Sequence, residues 1–368
     1  MKLELHRPSR GTIVTVAAFV VCCVVALVLP SFVSDFRAQQ FAYVGIYLIA
    51  LIGLNVLTGY TGQISLGHGA FMAIGGYTTA ILISDQGLHL RGHVFMSDMK
   101  DVWTIPIAGL VAGVVGLLFG IPALRLTGLY LALATFAIAV ATPGVIKRFA
   151  TFTGGSSGVN MFGLPGLTGG VDGVTIFGHH LTFNDWLYYL SWTLALVAIA
   201  VAWFLLRGRT GRALRAIRDS ETAAASSGVN LAVYKTLAFG VSAAFAGVAG
   251  SLYAIANTFV NPDTFPVTLS IFLLIGVVVG GLGQLSGLVA GAVFIYFMQI
   301  SWAQSTDRLI PDWFPWLGDL DTSSPGAPAV AFGVVLILIM MLFPAGAAGL
   351  LRSAKNLPSR LAARRSAS

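Results

Sequence analysis

Uncharged apolar runs about 20 residues long recur throughout this 368-residue chain, and they leave few folds open to it. The first, Gly11 to Val33, contains no Asp, Glu, Lys or Arg. Bilayer hydrocarbon offers backbone amides no water, so a crossing segment must satisfy them internally, as a helix of about 20 residues does. Composition agrees: 57% of the residues are hydrophobic and 10% charged, whereas an ordinary soluble domain is about a quarter charged. The expected fold class is all-α: a polytopic transmembrane helical bundle of about ten membrane segments with broken or re-entrant helices.

The segments fall at 12–34, 41–58, 63–84, 103–120, 126–146, 186–206, 235–256, 268–282, 286–302 and 329–351. The eighth is short and ends in Gly280, Gly281 and Gly283, so it is either a complete span or a re-entrant, broken one. Residues 1–351 make a single transmembrane domain with a long loop at 207–235, and 352–368 form a basic tail.

Charge tests this count independently, because cytoplasmic loops hold the Lys and Arg excess. Ten crossings put both termini in the cytoplasm. The inside then receives Lys2, Arg7, Arg10, Arg125, six basic residues of loop 207–235 and five of the tail, 15 of the 21 in the chain. Acidic residues run the other way, with only Glu4, Asp219 and Glu221 of 14 inside. The net charge of +7 is thus a topology signal in a lipid-embedded chain, and no nucleic-acid partner is expected. Lys2, Arg7 and Arg10 before an apolar run also describe a secretory leader, but Gly11 to Val33 is too long, so an uncleaved first span is expected. The only cysteines, Cys22 and Cys23, adjoin each other there as small packing residues.

No segment interior carries Asp, Glu, Lys or Arg, which disfavours coupling to an ion gradient, although backbone carbonyls could still bind sodium. No lysine follows a glycine, so the chain has no phosphate-binding G-x-x-x-x-G-K-[ST] loop, and ATP chemistry would have to come from another chain. No catalytic residue, metal ligand or cofactor is expected of it. His179 and His180, in an outside loop, read as solvated polar residues.

The loop from Arg207 to Asn230 is patterned. Ala213, Leu214 and Ile217 recur at helical spacing while Arg212, Arg215 and Arg218 point elsewhere, which predicts a short amphipathic helix from Gly211. Asp219 or Ser220 can cap a second helix with Glu221 in its first turn, Ala223, Ala224 and Ala225 favour it, and Gly228 suits a left-handed stop. The loop therefore reads as a helix-turn-helix elbow. A short packed helix of this kind can lie in a partner's groove.

The run A-I-R-D-S-E-T-A-A-A-S-S-G-V-N ending at Asn230, with Lys235 to Gly250 after it, resembles the coupling-loop region of the membrane subunits of branched-chain amino-acid ABC transporters, in particular the LivM type. Asn55 to Phe71, Thr153 to Gly158, Val279 to Gly283 with Gly287 to Ala292, and Phe343 to Gly346 follow the same family order. Loop 302–328 has no clear family pattern. Ser156-Ser157-Gly158 lacks the acidic residue common there, which bears on the solute. The resemblance implies a permease in the bacterial inner membrane, working with a second homologous permease, two ATP-binding subunits and an extracytoplasmic solute-binding protein. It places Arg215, Ile217, Arg218, Asp219, Glu221, Ala224 and Gly228 at the ATPase-coupling elbow. Branched-chain or related small amino acids are the implied solutes, with urea or short amides as the alternative.

The translocation path is sought at Asn55, Gln63, Ser65 and His68. Gly59, Gly62, Gly67 and Gly69 interrupt an apolar pattern and bring these polar groups to membrane depth. Irregular backbone lining a cavity or small-residue helix packing both explain such a stretch. His68 reads as the one ionisable side chain within or at the edge of a span. Gly283-Gln284-Leu285-Ser286 faintly repeats Gly62-Gln63-Ile64-Ser65.

Overall fold

The computed structural model of the chain describes residues 34–84, 88–90, 93–95, 99–126, 128–168, 174–176 and 179–296, with isolated positions from 333 to 349. The expected first span with Cys22 and Cys23, loop 302–328 and the basic tail lie outside them. Between 41 and 296 a helix occupies each expected segment, and six helical stretches are long and apolar enough to cross a membrane. The protein is a multi-pass helical membrane protein.

Its centre is α1 (Asp35–Leu54), which continues through a π-helical turn at Asn55–Gly59. Every residue from Val44 to Gly59 is buried. A helix apolar on all sides has no face to offer water and belongs in an interior. Around it stand α6 (Phe183–Arg207), α9 (Leu231–Asn257), α10 (Val267–Gly280) and α11 (Leu288–Tyr296). The indole of Trp192 ties α6 to α1 by donating to the Phe41 carbonyl at 3.0 Å. On the far side of α9 lie α2 (His68–Ile83) and α3 (Asp101–Ala123), with α4 (Leu129–Arg148) outermost. The membrane-spanning window of α1 is 89% buried and that of α4 only 22%, so α4 faces lipid or another subunit.

Lipid removes most of the hydrophobic drive between helices, so association relies on close backbone approach and dispersion. The α3–α9 contact shows how the sequence supplies it. Gly109, Gly113, Gly116 and Gly120 share one face of α3, and a Cβ on Gly116 would come within 2.3 Å of the Ala243 Cβ. On the other side of α9, a Cβ on Gly250 would sit 1.9 Å from the Met72 carbonyl of α2. Outward faces carry Leu110 and Leu118 on α3, Leu129 and Leu133 on α4, and Val197 and Phe204 on α6, all exposed. Water would not tolerate so much apolar surface; hydrocarbon does.

Two helices depart from simple spans. The expected segment 63–84 is helical only from His68, after a non-helical stretch at 62–67 that alternates buried Gln63 and Ser65 with exposed Ile64. At 16 residues α2 is about 24 Å long, short of the ~30 Å hydrocarbon layer. A connection through α5 (Ala150–Thr153) follows α4, and beyond it Val159–Asn160 pairs antiparallel with Phe259–Val260, joining that loop to the end of α9.

Candidate functional site

The elbow forms as its residues require. Helix α7 (Arg209–Asp219) follows α6 after Gly208, in a turn so tight that a Cβ on Gly211 would meet the Leu206 carbonyl at 1.9 Å. Ser220 breaks the helix with extended backbone, and its hydroxyl accepts from the Ala223 amide at 3.3 Å, capping α8 (Glu221–Ser226). Of the two candidate caps, Ser220 serves. The second helix ends as a Schellman turn: Gly228 has φ +81°, and the Val229 amide donates to the Ala224 carbonyl at 3.0 Å. Leu214, Ile217 and Ala224 turn inward and are buried against the chain's own bundle, so they anchor the elbow. Arg215, Arg218, Asp219 and Gly228 are exposed. Glu221 pairs at 2.6 Å with Lys235, one turn into α9 and only 4% exposed.

Arg218 also reaches inward. Its guanidinium donates to the Gly59 carbonyl at the end of the π-helical turn, and its side chain lies against Gly62 and Gly283. These glycines mark two breaks of like construction. Gly62 follows Gly59 by three residues with φ +73°, and Gly283 follows Gly280 by three with φ +74°. Each precedes a glutamine, so the faint repeat in the sequence has a counterpart in the backbone. Asn55, fully buried, clips the two together: its Oδ1 accepts from the Gly283 amide at 2.9 Å and its Nδ2 donates to the Gln284 carbonyl at 3.3 Å. Gly59 must be glycine here, because a Cβ would stand 2.5 Å from the Gly283 nitrogen. Elbow, first break and second break thus meet at one junction.

From that junction the chain returns into the bundle. Thr58 donates to the Gln63 carbonyl at 3.1 Å, and the Leu66 amide donates to Thr135 Oγ1 at 2.9 Å. His68 opens α2 with its Nε2 donating to the Ala50 carbonyl at 2.9 Å, and the Gly69 amide donates to Ser270 at 2.9 Å. Ala50 precedes Gly59 by nine residues, so α2 begins about 14 Å inside the bundle, at membrane depth. Ser65 is fully buried. The amide oxygens of Gln63 and Gln284 are buried and find no hydrogen-bond donor among the described residues.

Residues 36–344 match the family of branched-chain amino acid transport system permease components. The chain belongs to that family. It is 35% identical over 287 residues to the high-affinity branched-chain amino acid transport system permease protein LivM of Salmonella typhimurium and to that of Escherichia coli. Those alignments cover 74% of this chain and 65% of each relative, so the chain spans just under two thirds of their length. It is also 25% identical over 316 residues to the permease protein LivH of Escherichia coli, across 82% of this chain and 91% of that one. No solved structure matches.

Two features escaped sequence reasoning. His68 is not the only ionisable group inside a helix: Lys235 lies within α9 with Glu221 as its counter-ion, and Asp101, fully buried, opens α3. Asp101 accepts from the Val102 amide at 2.8 Å and from the Thr168 hydroxyl. The expected segment 103–120 leaves Asp101 outside and loop 207–235 takes in Lys235, because helix ends cannot be fixed to the residue from an apolar pattern. The Asn55 clip joins residues 228 apart, which only the fold brings together.

Proposed function

We propose that this chain is the membrane-spanning permease subunit of an ATP-binding-cassette importer in a bacterial inner membrane, with ten crossings and both termini cytoplasmic. It moves branched-chain or related small amino acids released by an extracytoplasmic binding protein. A second homologous permease and two ATP-binding subunits complete the assembly. The branched-chain amino acid transport for which the LivM and LivH relatives are named supports the solute class.

The observation that carries the coupling role is the bonded junction: a capped elbow whose Arg218 holds the first helix break, itself clipped by Asn55 to the second. ATP-driven closure of a partner can bias a membrane gate only through a stiff element with different contacts in the two states. The exposed face of the elbow, with Arg215, Asp219 and Gly228, meets the ATP-binding subunit. Ile217 and Ala224 transmit the push because they are packed into the bundle, and Glu221 braces the second helix against Lys235. Gln63 and Ser65, inside the first break, line the solute path, with Asn55 and His68 positioning the helices on either side.

A cross-linking experiment tests the elbow assignment. With Cys22 and Cys23 replaced by Ala, Ser226→Cys is expected to cross-link to the ATP-binding subunit of the complex, and an impermeant thiol reagent is expected to reach it only from the cytoplasm. Labelling from the opposite side, or no cross-link in an assembled complex, would contradict the assignment.

A further inference from the structure

At the end of the bundle opposite the elbow, the start of α1, the end of α9 and Tyr296 of α11 enclose a cavity of about 230 Å³. Helix α9 is 27 residues long, so this cavity and the elbow are about 40 Å apart, on opposite faces of a bilayer. Its lining differs in kind from that of two other cavities among the described residues. The larger, about 640 Å³ between α2 and α4, is almost wholly apolar, and so is the one between the end of α3 and the start of α9. Those suit acyl chains or neighbouring helices. The end cavity mixes tyrosine rings with the amides of Gln39, Gln40 and Asn257.

Its walls are fixed by packing. Tyr43 stacks on Tyr296 with centroids 6.5 Å apart and meets Tyr253 edge-on at 5.8 Å, and Tyr253 is backed by Phe265 at 5.6 Å. Tyr43 donates to Asn257 Oδ1 at 3.2 Å, and Asn257 Nδ2 donates to the Tyr253 carbonyl at 2.8 Å. Tyr43 and Tyr253 thus hold the Asn257 amide at the cavity wall. Among the described residues, no Asp, Glu, Lys or Arg lines the cavity. An ion of single charge would find no counter-charge there. A zwitterion fares better: ring faces attract an ammonium group, amides hydrogen-bond either end, and the rings accept an aliphatic side chain. The volume equals roughly seven or eight waters at ~30 Å³ each, the scale of a free amino acid and below that of drug-sized ligands.

We infer that this aromatic and amide cavity is an entrance site that takes a small zwitterionic amino acid with an aliphatic side chain before it moves toward the helix breaks. The inference rests on the permease function proposed above. Asn257 and Tyr43 set its affinity, and the remaining tyrosines shape it.

Equilibrium binding of tritiated leucine to the detergent-purified complex, without binding protein, tests the site directly, with urea as competitor. The wild-type complex is expected to bind leucine saturably, and urea is expected not to displace it. Asn257→Ala and Tyr43→Leu should weaken binding by about tenfold or more, and Tyr43→Phe, which keeps the ring, by less. Asn257 is exposed at a helix end, so its substitution leaves folding intact even if Tyr43→Leu does not. Unchanged binding in Asn257→Ala and Tyr43→Phe, absence of binding to the wild-type complex, or displacement by urea would overturn the inference. ATP-driven leucine uptake by the same wild-type complex is measured in parallel. Normal uptake with unaffected variants sinks the site alone; no uptake sinks the permease function, while the binding comparison still decides the site.

Discussion

Gly228→Val separates the coupling role proposed for the elbow from the elbow's folding. Gly228 ends α8 at φ +81°, and two 3.0 Å bonds close the turn, Val229 amide to Ala224 carbonyl and Gly228 amide to Ala225 carbonyl. A side chain in the left-handed region costs about 1–2 kcal/mol, and β-branching adds to it. Nothing stands within 4 Å of the place a Cβ would occupy, so the chain itself imposes no steric clash. Against a typical domain stability of about 5–15 kcal/mol that strain leaves the protein folded. Its relief is local: the last turn of a six-residue helix unwinds, displacing the exposed tip proposed to face the partner. One to two kcal/mol corresponds to about a 5–30-fold loss in an association constant, and the bulk of valine at the interface increases it. Gly228→Ala carries most of the strain and little of the bulk, so it should fall between wild type and valine. Co-purification of the ATP-binding subunit and ATP-driven uptake in proteoliposomes are the assays. Normal association and normal uptake in Gly228→Val would remove the elbow from the coupling path; failure of membrane insertion would show that the turn is needed for folding.

Glu221→Lys leaves Lys235 facing a like charge and puts a cation at a helix N-terminus; because Glu221 is 40% exposed, a loss of about 1–3 kcal/mol is expected, below that of a fully buried pair, and Glu221→Lys with Lys235→Glu should recover part of it in a thermal unfolding assay. Asn55→Leu leaves the Gly283 amide without its acceptor and should destabilise the protein by about 1–3 kcal/mol, with uptake reduced while the ATP-binding subunit still co-purifies; normal stability would show that the clip is dispensable. His68→Leu removes one bond to a carbonyl within α1, a cost of about 0.5–1.5 kcal/mol, and should lower uptake while subunit association persists; unchanged transport kinetics would leave His68 a packing contact.

The elbow was legible because its signals are local. A serine cap, an acidic first turn, an arginine face and a glycine stop each act within a few residues, and the structure uses all of them. The helical segments between 41 and 296 were legible for the same reason, as continuous apolar runs. What lies between distant parts of the chain was not. Asn55 reads as one polar residue in an apolar run until the second break arrives beside it, 228 residues later in sequence. The direction of the elbow's apolar stripe was equally hidden: periodicity groups Leu214 and Ile217 on one side but cannot say whether bundle or partner covers them, and the bundle does. Arg218 belongs by spacing to the exposed arginine face, yet its length lets it reach back to Gly59.

The most direct test of the permease function is uptake of radiolabelled leucine into proteoliposomes containing this chain, its partner permease, the ATP-binding subunits and externally added binding protein. Uptake is expected with ATP inside the vesicles, and none is expected when the ATP-binding subunits are omitted or a non-hydrolysable ATP analogue replaces ATP. Leucine entry through this chain alone, driven only by its own gradient, would contradict the importer account and mark the protein as a stand-alone carrier.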